Sequence, residues 1–575
     1  MSEETQQATA SPRLWPLFVL LPLIWVLKGL PALFKEPSMA VMMTSFFGPA
    51  ICGVLILVWW LFLSRLPWRE RIMGTVGIVL VALVTTLLSH VSMQGFGTMG
   101  YAVPWGMTIS TLAFLIANKL GVRRTEIAVL AAFLGFGYWS LIRSEGVWGD
   151  FRSDQSFRWE PTPEEQILVD LENQANAKAT LVASEEAITA EWPGFRGPKR
   201  NSVVPGVRLA EDWNGQAPQE LWRIRVGPGW SSFAVAGQQL FTQEQRGDNE
   251  VVVSYDTETG AEHWVYAYPS RFWEALAGAG PRATPTVHNG SLYALGAEGL
   301  LHRLDPATGE AAWQADLRKD TQREPPMWGF SSSPLVVNGT VIVHAGGEGD
   351  RGVVAYDTET GAYRWGVPSG GHSYSSPQLS NFMGAASVPV VADDGLTLID
   401  PHQGTVRWKY EWPSDNYRAL QPLMLSESSF LITTGMGIGT RRLDLSGSGD
   451  ALTAEEKWTS RGMKSDFNDY VAHEGYLYGF DMNIFACINL ETGERQWKRG
   501  RYGNGQVLLL PDADQLLLAA ESGELILLRT NPEKLEELAR VEVLEGKTWN
   551  HHVLVGDRVY LRNGAEAVGL KMPLS

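Results

Sequence analysis

The residues best equipped for chemistry gather in short segments that recur along the second half of the chain. They are Gly229-Trp-Ser-Ser232, Gly280-Pro-Arg-Ala283, Met327-Trp-Gly-Phe330, Gly371-His-Ser-Tyr374, Asn416-Tyr-Arg418, Lys464-Ser-Asp-Phe-Asn-Asp469, Tyr502-Gly-Asn504 and Trp549-Asn-His-His552. Turn chemistry favours Gly, Asn, Asp and Pro, so the surplus of Trp, Tyr, His and Arg needs another reason. Rings with polar tips suit a planar, anionic or sugar-like ligand. The candidate binding residues are Trp230, Arg282, Trp328, His372, Tyr374, Arg418, Asn468, Trp549, Asn550 and His551. Asp466 and Asp469 are the candidate catalytic base and the candidate oxygen ligands for Ca²⁺; both also fit as turn caps. Trp230, Trp328 and Trp549 suit plugging a channel equally well. His551 and His552 fit either metal or proton-transfer roles or satisfied rim positions. Lys464 is placed to form a surface ion pair with Asp466.

The elements that must position these segments are repeats. Asp256-Thr-Glu-Thr-Gly260-Ala-Glu-His-Trp264 returns at Asp305–Trp313, Asp357–Trp365 and Asp400–Trp408, and, with Asn for Asp, at Asn489–Trp497. An alternating apolar run precedes each copy, as in Val251-Val-Val-Ser-Tyr255. Asp opens a tight turn, Gly supplies the position with positive φ, and the next strand carries the Trp. The pattern predicts a hairpin with a Trp wedged between neighbouring sheets. Units this small hold no core alone and must stack.

Outer strands are expected near residues 222, 264, 313, 365, 408, 458, 497 and 539. The strand at Trp222 lacks a turn motif before it, and the run Glu566-Ala-Val-Gly-Leu-Lys571 lacks an outer strand after it. Joining the two closes a ring and removes its sheet edges. The expectation is an all-β, eight-bladed propeller over 191–575, with seven blades as the alternative. The aromatic segments, each before an inner strand, then form one rim of the ring.

The Asp-x-x-Thr-Gly-x-x-x-Trp hairpin, with Ser332-Ser333-Pro334 and Ser375-Ser376-Pro377 before inner strands, resembles the pyrroloquinoline quinone (PQQ)-like propeller repeat. The segments Glu191–Asn201 and Gly546–Gly556 resemble a bacterial branch of that family common in planctomycetes. The ring resembles the outer-membrane barrel-assembly propeller, a scaffold without cofactor. The overall layout resembles membrane-bound quinoprotein glucose dehydrogenase, which implies PQQ with Ca²⁺ and electron transfer to membrane quinone. On that resemblance Asp466 or Asp469 would be the base and Arg282 or Arg418 would meet a cofactor carboxylate. The chain departs from the dehydrogenases in its short loops and in having no adjacent Cys-Cys pair.

Composition changes sharply before Asp150. Apolar stretches at about 14–34, 45–63, 72–90, 101–118 and 127–142 approach the ~20 residues of a bilayer-spanning helix, and an α-helical transmembrane anchor of about five spans is expected over 1–149. Arg65, Arg69 and Arg71 follow the second stretch, and Lys119, Arg123 and Arg124 follow the fourth; the loop between the third and fourth is uncharged. The positive-inside rule then puts the N-terminus in the cytoplasm of a bacterial inner membrane and the propeller on the periplasmic, exported side. No cleavable signal peptide is expected.

Residues 1–149 carry 10 Lys and Arg against 6 Asp and Glu; the remainder carries 37 against 57. An acidic exported part argues against nucleic acid as a partner, which needs a basic face. The two cysteines, Cys52 and Cys487, both lie in apolar runs, which excludes a Cys-rich metal or haem motif. Between anchor and ring, 150–190 reads as a helical stalk, with Thr162 as cap and Pro163 at the first helical position, and a disordered tether is the alternative. The reading is a membrane-anchored propeller that binds an envelope protein or a small ligand, with no demonstrated catalysis. The alternative is a PQQ-dependent sugar or alcohol dehydrogenase.

Overall fold

The computed structural model describes residues 12–34, 39–150, 152–174, 190–371, 373–435 and 437–575. It divides into two compact units, Met1–Val147 with Ser153–Glu160, and Trp148–Arg152 with Pro161–Ser575.

The first unit is a helical bundle built from α1 (Trp15–Gly29), α2 (Met39–Val58), α3 (Trp68–Leu88), α4 (Val103–Leu120) and α5 (Arg124–Gly137). Together with their 3₁₀ and π-helical extensions, four stretches among the described residues are long and apolar enough to cross a membrane: Trp15–Leu33, Ala40–Leu63, Trp68–Leu88 and Thr98–Leu120. The expectation of about five is corrected here. The fifth apolar stretch yields only the 14-residue α5, because Arg124 and Glu126 occupy its first turn and the chain passes through a 3₁₀ turn, Tyr138–Leu141, into a strand, Ile142–Val147. That strand pairs with Ser153–Phe157, a hairpin the sequence reading did not anticipate. The run of α5 within the bundle is clear from its ends. Arg124 pairs with Glu70 in the first turn of α3 at 2.8 Å. Beyond α5, Ser144 N–H donates to Ser92 Oγ at 2.9 Å and Arg158 Nη1 donates to the Leu88 carbonyl at 3.0 Å. The polypeptide therefore enters α5 beside the start of α3 and leaves beside its end.

The second unit is an eight-bladed propeller of four-stranded antiparallel sheets. Blade 1 runs outward through Ala234–Ala236, Gln239–Arg246, Asn249–Asp256 and Glu262–Pro269. Blades 2 to 7 repeat this order. Blade 8 takes Val553–Val555, Arg558–Arg562 and Glu566–Lys571 from the end of the chain and its outer strand, Gln219–Arg225, from the start of the ring. The closure expected of Trp222 is observed, and eight blades rather than seven are formed.

The recurring hairpin explains its own composition. Asp256 Oδ1 accepts from Glu258 N–H and Thr259 N–H at 3.0 and 2.8 Å, and Gly260, at φ 69°, returns its N–H to the Asp256 carbonyl. The Trp does more than wedge between sheets. A Cβ on Gly260 would lie 2.7 Å from the ring of Trp222, so the bare glycine is the seat of the preceding blade's indole. Trp222 Nε1 then donates to the Thr257 carbonyl at 2.9 Å. The same seat and bond join Trp264 to the turn of Pro306, Trp313 to Thr358 and Trp458 to Leu490. Every blade also carries a bulge between its third and outer strands, as between Ser254 and Tyr255. The bulge persists in blade 7, where Ala539 fills the Trp position, so it is a property of the blade and not of the indole.

Helix α6 (Pro163–Gln174) opens with a capping box: Thr162 Oγ1 accepts from Glu165 N–H at 3.0 Å and Glu165 Oε2 accepts from Thr162 N–H at 2.7 Å. It lies against the ring through Glu164–Arg271 and Asp170–Arg225 ion pairs. The remaining residues assigned to the stalk, 175–189, lie outside the described residues.

Closure at blade 8 joins residues about 345 positions apart, so its seat is the weakest place to lose. Trp222→Ala is expected to destabilise the propeller by about 3–5 kcal/mol, whereas Val406→Ala, on an exposed outer-strand position, should cost under about 0.5 kcal/mol. Urea unfolding followed by Trp fluorescence measures both.

Candidate functional site

The segments ahead of the inner strands all open on one rim, and two devices hold them. The first is a belt of side chains between blades. Ser232 N–H donates to Thr284 Oγ1, Thr284 N–H to Ser333 Oγ and Ser333 N–H to Ser376 Oγ, at 2.9–3.1 Å. The Ser-Ser-Pro signature is thus part of a clasp that links blades 1 to 4 in turn. On the far side of the ring Asp469 N–H donates to Gln506 Oε1 at 3.0 Å.

The second device is the entry segment, 190–210, which runs up the axis. It comes in at the turn between the first two strands of blade 1, where Glu191 accepts from Gly237 N–H, and goes out at the equivalent turn of blade 7, where Gly206 N–H donates to Asp512. Between those points Trp192 pairs with Val235, and Val203 with Leu509. Arg196, Arg200 and Ser202 adopt positive φ of 62°, 51° and 59°, which folds the segment into a tight plug.

The tip of the plug meets Asp469. This carboxylate is fully buried and takes Arg196 Nε at 2.9 Å, Ser202 Oγ, and His551 Nδ1 at 3.1 Å. Burial alone would raise its pKa, but the neighbouring Arg196 and His551 outweigh that and hold it at about 2. His552, the next residue, is buried against the Leu517 carbonyl, and burial lowers its pKa to about 3. It is a neutral core histidine.

Asp466 lies apart from this network, in an aromatic cluster. Trp328, Tyr374 and Tyr417 stand 4.5–5.5 Å apart, and Tyr417 Oη donates to Asp466 at 2.6 Å. Burial raises Asp466 to about 6 against the opposing hydrogen bond. A second cluster groups Trp230, Trp549 and Phe467, with Lys547 Nζ 4.3 Å above the Trp549 ring and 5.2 Å above Trp230. Trp549 Nε1 donates to Glu521, whose carboxylate also takes Gly149 N–H and Asn504 N–H.

The remaining candidates divide. Arg418 is buried and spent on the Ala392 and Trp412 carbonyls and Thr434 Oγ1. Arg282 is bound to Glu274 at 2.9 Å and to two carbonyls. Asn468 and Asn550 each donate to backbone carbonyls of neighbouring segments, while their Oδ1 atoms are buried without a partner. Lys464 pairs with Asp481 and not, as expected, with Asp466. His372 lies outside the described residues. Sequence reasoning missed Arg196 and Ser202, because nothing local in Gly194-Phe-Arg-Gly-Pro-Lys-Arg-Asn-Ser202 tells that it threads a channel to a carboxylate 273 residues on. Among the described residues one trio, His473, Glu474 and Asp514, brings metal-ligating atoms within 4.8 Å, and it lies at turns on the opposite rim.

The family model described as outer membrane protein assembly factor BamB matches residues 214–347 and 297–535. Over 125 residues the chain is 38% identical to quinohemoprotein alcohol dehydrogenase ADH-IIG of Pseudomonas putida; the match covers 21% of this chain and 17% of that protein. Among solved structures it is similar to BamB from Moraxella catarrhalis, at 14% identity and TM-score 0.46, covering 62% of this chain and 98% of that one. It is also similar to quinohemoprotein alcohol dehydrogenase ADHIIG from Pseudomonas putida HK5, at 15% identity and TM-score 0.48, covering 67% and 80%.

The two aspartates should respond oppositely to pH. Asp466 has a raised folded pKa, so its cost is absent below about pH 4 and complete above about 6. Asp466→Asn should therefore leave stability unchanged at pH 4 and raise it by about 3 kcal/mol at pH 8. Asp469 has a depressed pKa, so its contribution is complete above about pH 4 and fades as pH falls through about 2. Asp469→Asn should cost about 3–5 kcal/mol at pH 7 by leaving Arg196 buried without its counter-charge. Thermal unfolding across pH 2–8 measures both.

Proposed function

This chain belongs to the family described as outer membrane protein assembly factor BamB, whose model matches more than half of it, and on that premise we propose that it is a membrane-anchored binding propeller. Its aromatic rim takes a segment of an envelope protein or a small ligand. The observation that carries this reading is the filled axis. A quinoprotein reaction needs a free carboxylate base, a metal held beside it and cations for the cofactor's carboxylates. Here Asp469 is consumed by Arg196, Ser202 and His551, and a carboxylate held at a pKa of about 2 is a poor base. Arg282 and Arg418 are likewise consumed, by Glu274 and by backbone carbonyls. These residues do not fit PQQ and Ca²⁺.

One observation favours the second reading, a PQQ-dependent dehydrogenase. Asp466, raised to about 6 and set among Trp328, Tyr374 and Tyr417, is matched in pKa to proton transfer near neutrality. Titrating the detergent-purified protein with micromolar PQQ and millimolar Ca²⁺ separates the two. The binding-propeller reading expects no saturable change in Trp fluorescence and no dye reduction with glucose or simple alcohols. Saturable binding with dye reduction, lost in Asp466→Asn, would overturn it.

The proposed location is the inner membrane with the ring exported. Its support is the separation of charge along the bundle: the basic loops at 65–71 and 119–124 lie beside the start of α3, and the chain departs beside the end of α3. Both native cysteines are buried, so engineered thiols report cleanly. Met327→Cys, at an exposed rim position, should react with a membrane-impermeant maleimide in intact spheroplasts, and Lys119→Cys only after permeabilisation. The reverse pattern would place the ring in the cytoplasm.

A further inference from the structure

We propose that the pocket between the entry segment and the inner strands of blades 4 and 5 binds an oxyanion, the phosphate or carboxylate group of a small ligand. This site opens on the rim opposite the aromatic mouth and is independent of the function proposed above. The entry segment bonds to inner strands of blades 1, 2 and 7, while the inner strand of blade 5 is only Leu423–Met424. That asymmetry leaves a pocket of 120 Å³ beside the plug, lined among others by Arg196, Lys199, Arg200, Asn201, Gln378 and Ser380, with no Asp or Glu in its wall.

Three cations meet there, and one of them, Arg196, has a buried donor without a partner. Arg200 is buried, yet all its bonds go to neutral acceptors: the Ser333 carbonyl at 3.1 Å, the Pro377 carbonyl at 2.8 Å, Thr286 Oγ1 at 3.1 Å and the Pro334 carbonyl. With no carboxylate to offset burial, its pKa falls to about 10. Its Nη1 and Nη2 donors are filled by these neutral groups, and no carboxylate lines the pocket beside it to balance the charge. Arg196 is 97% buried; its Nε serves Asp469 and its Nη1 serves Gln421, but Nη2 is buried and has no partner. A buried donor left unmade costs about 1–3 kcal/mol. Lys199 is exposed at the mouth and forms no ion pair among the described residues. A tetrahedral or planar oxyanion would balance the charge of all three at once, with Asn201 and Ser380 adding neutral polar groups.

The test is calorimetric titration of the full-length protein in detergent with sodium phosphate and, separately, sodium acetate, at constant ionic strength. A saturable single site is expected, weakened at least about tenfold by Lys199→Glu, a substitution at an exposed position that should leave the unfolding temperature in chloride unchanged. Tighter binding of phosphate than of acetate assigns the site to a phosphate group; equal or tighter acetate binding assigns it to a carboxylate. No saturable heat with either anion overturns the proposal, as does binding undiminished in both Lys199→Glu and Arg200→Gln.

Discussion

The structure depends on one contact repeated around the ring: an indole seated on a bare glycine of the next blade, with its N–H donated to a backbone carbonyl of the same turn. Each part of the hairpin motif serves that contact. Asp and Gly build the turn, Gly leaves the space, and Trp fills it. An indole buries a large apolar area, and its one polar atom must find an acceptor when it does so. The turn supplies that acceptor at a fixed place. Blades are therefore joined by geometry and not by apolar adhesion alone, which lets short sheets with degenerate sequences form a regular ring. Where the motif decays the seam changes character. Trp365 keeps its glycine seat on Gly404, but its Nε1 lacks a partner, and blade 7 replaces the indole by Ala539 while retaining the bulge.

This explains why so much of the fold was legible. Turn, glycine and indole lie within nine residues, so their chemistry can be read locally. Closure was legible for a different reason. An outer strand at Trp222 without its turn, and a third strand at Glu566–Lys571 without its neighbour, are two halves that no other arrangement completes. The anchor was less legible, because apolar length was mistaken for helix length: α5 stops at Gly137 although apolar residues continue to Ile142.

The site was the least legible part, since its pairings are long-range. Composition identified the aromatic rim, but could not separate arginines with free tips from those consumed by carbonyls, as Arg418 is. Nor could it separate the two aspartates. Three residues apart in sequence, Asp466 faces Tyr417 and Asp469 faces Arg196, and their pKa values move in opposite directions for that reason. The partner that decides the character of Asp469 comes from the plug, which sequence marks only as a glycine- and cation-rich stretch ahead of the ring.

The plug also sets what this ring is able to do. Propellers commonly use the axial channel as their working cavity, but here the channel holds the protein's own backbone. Its arginines are divided between two tasks: Arg196 neutralises Asp469, while Arg200 ties carbonyls of blades 3 and 4 and the Thr286 hydroxyl of blade 2. Filling the axis ties plug and blades to each other through buried polar groups. It leaves aromatic clusters on one rim and a cationic pocket beside the plug. The two differ in kind. The mouth offers ring faces held by Glu521 and Asp466, suited to side chains or planar groups. The pocket offers positive charge without a counter-ion.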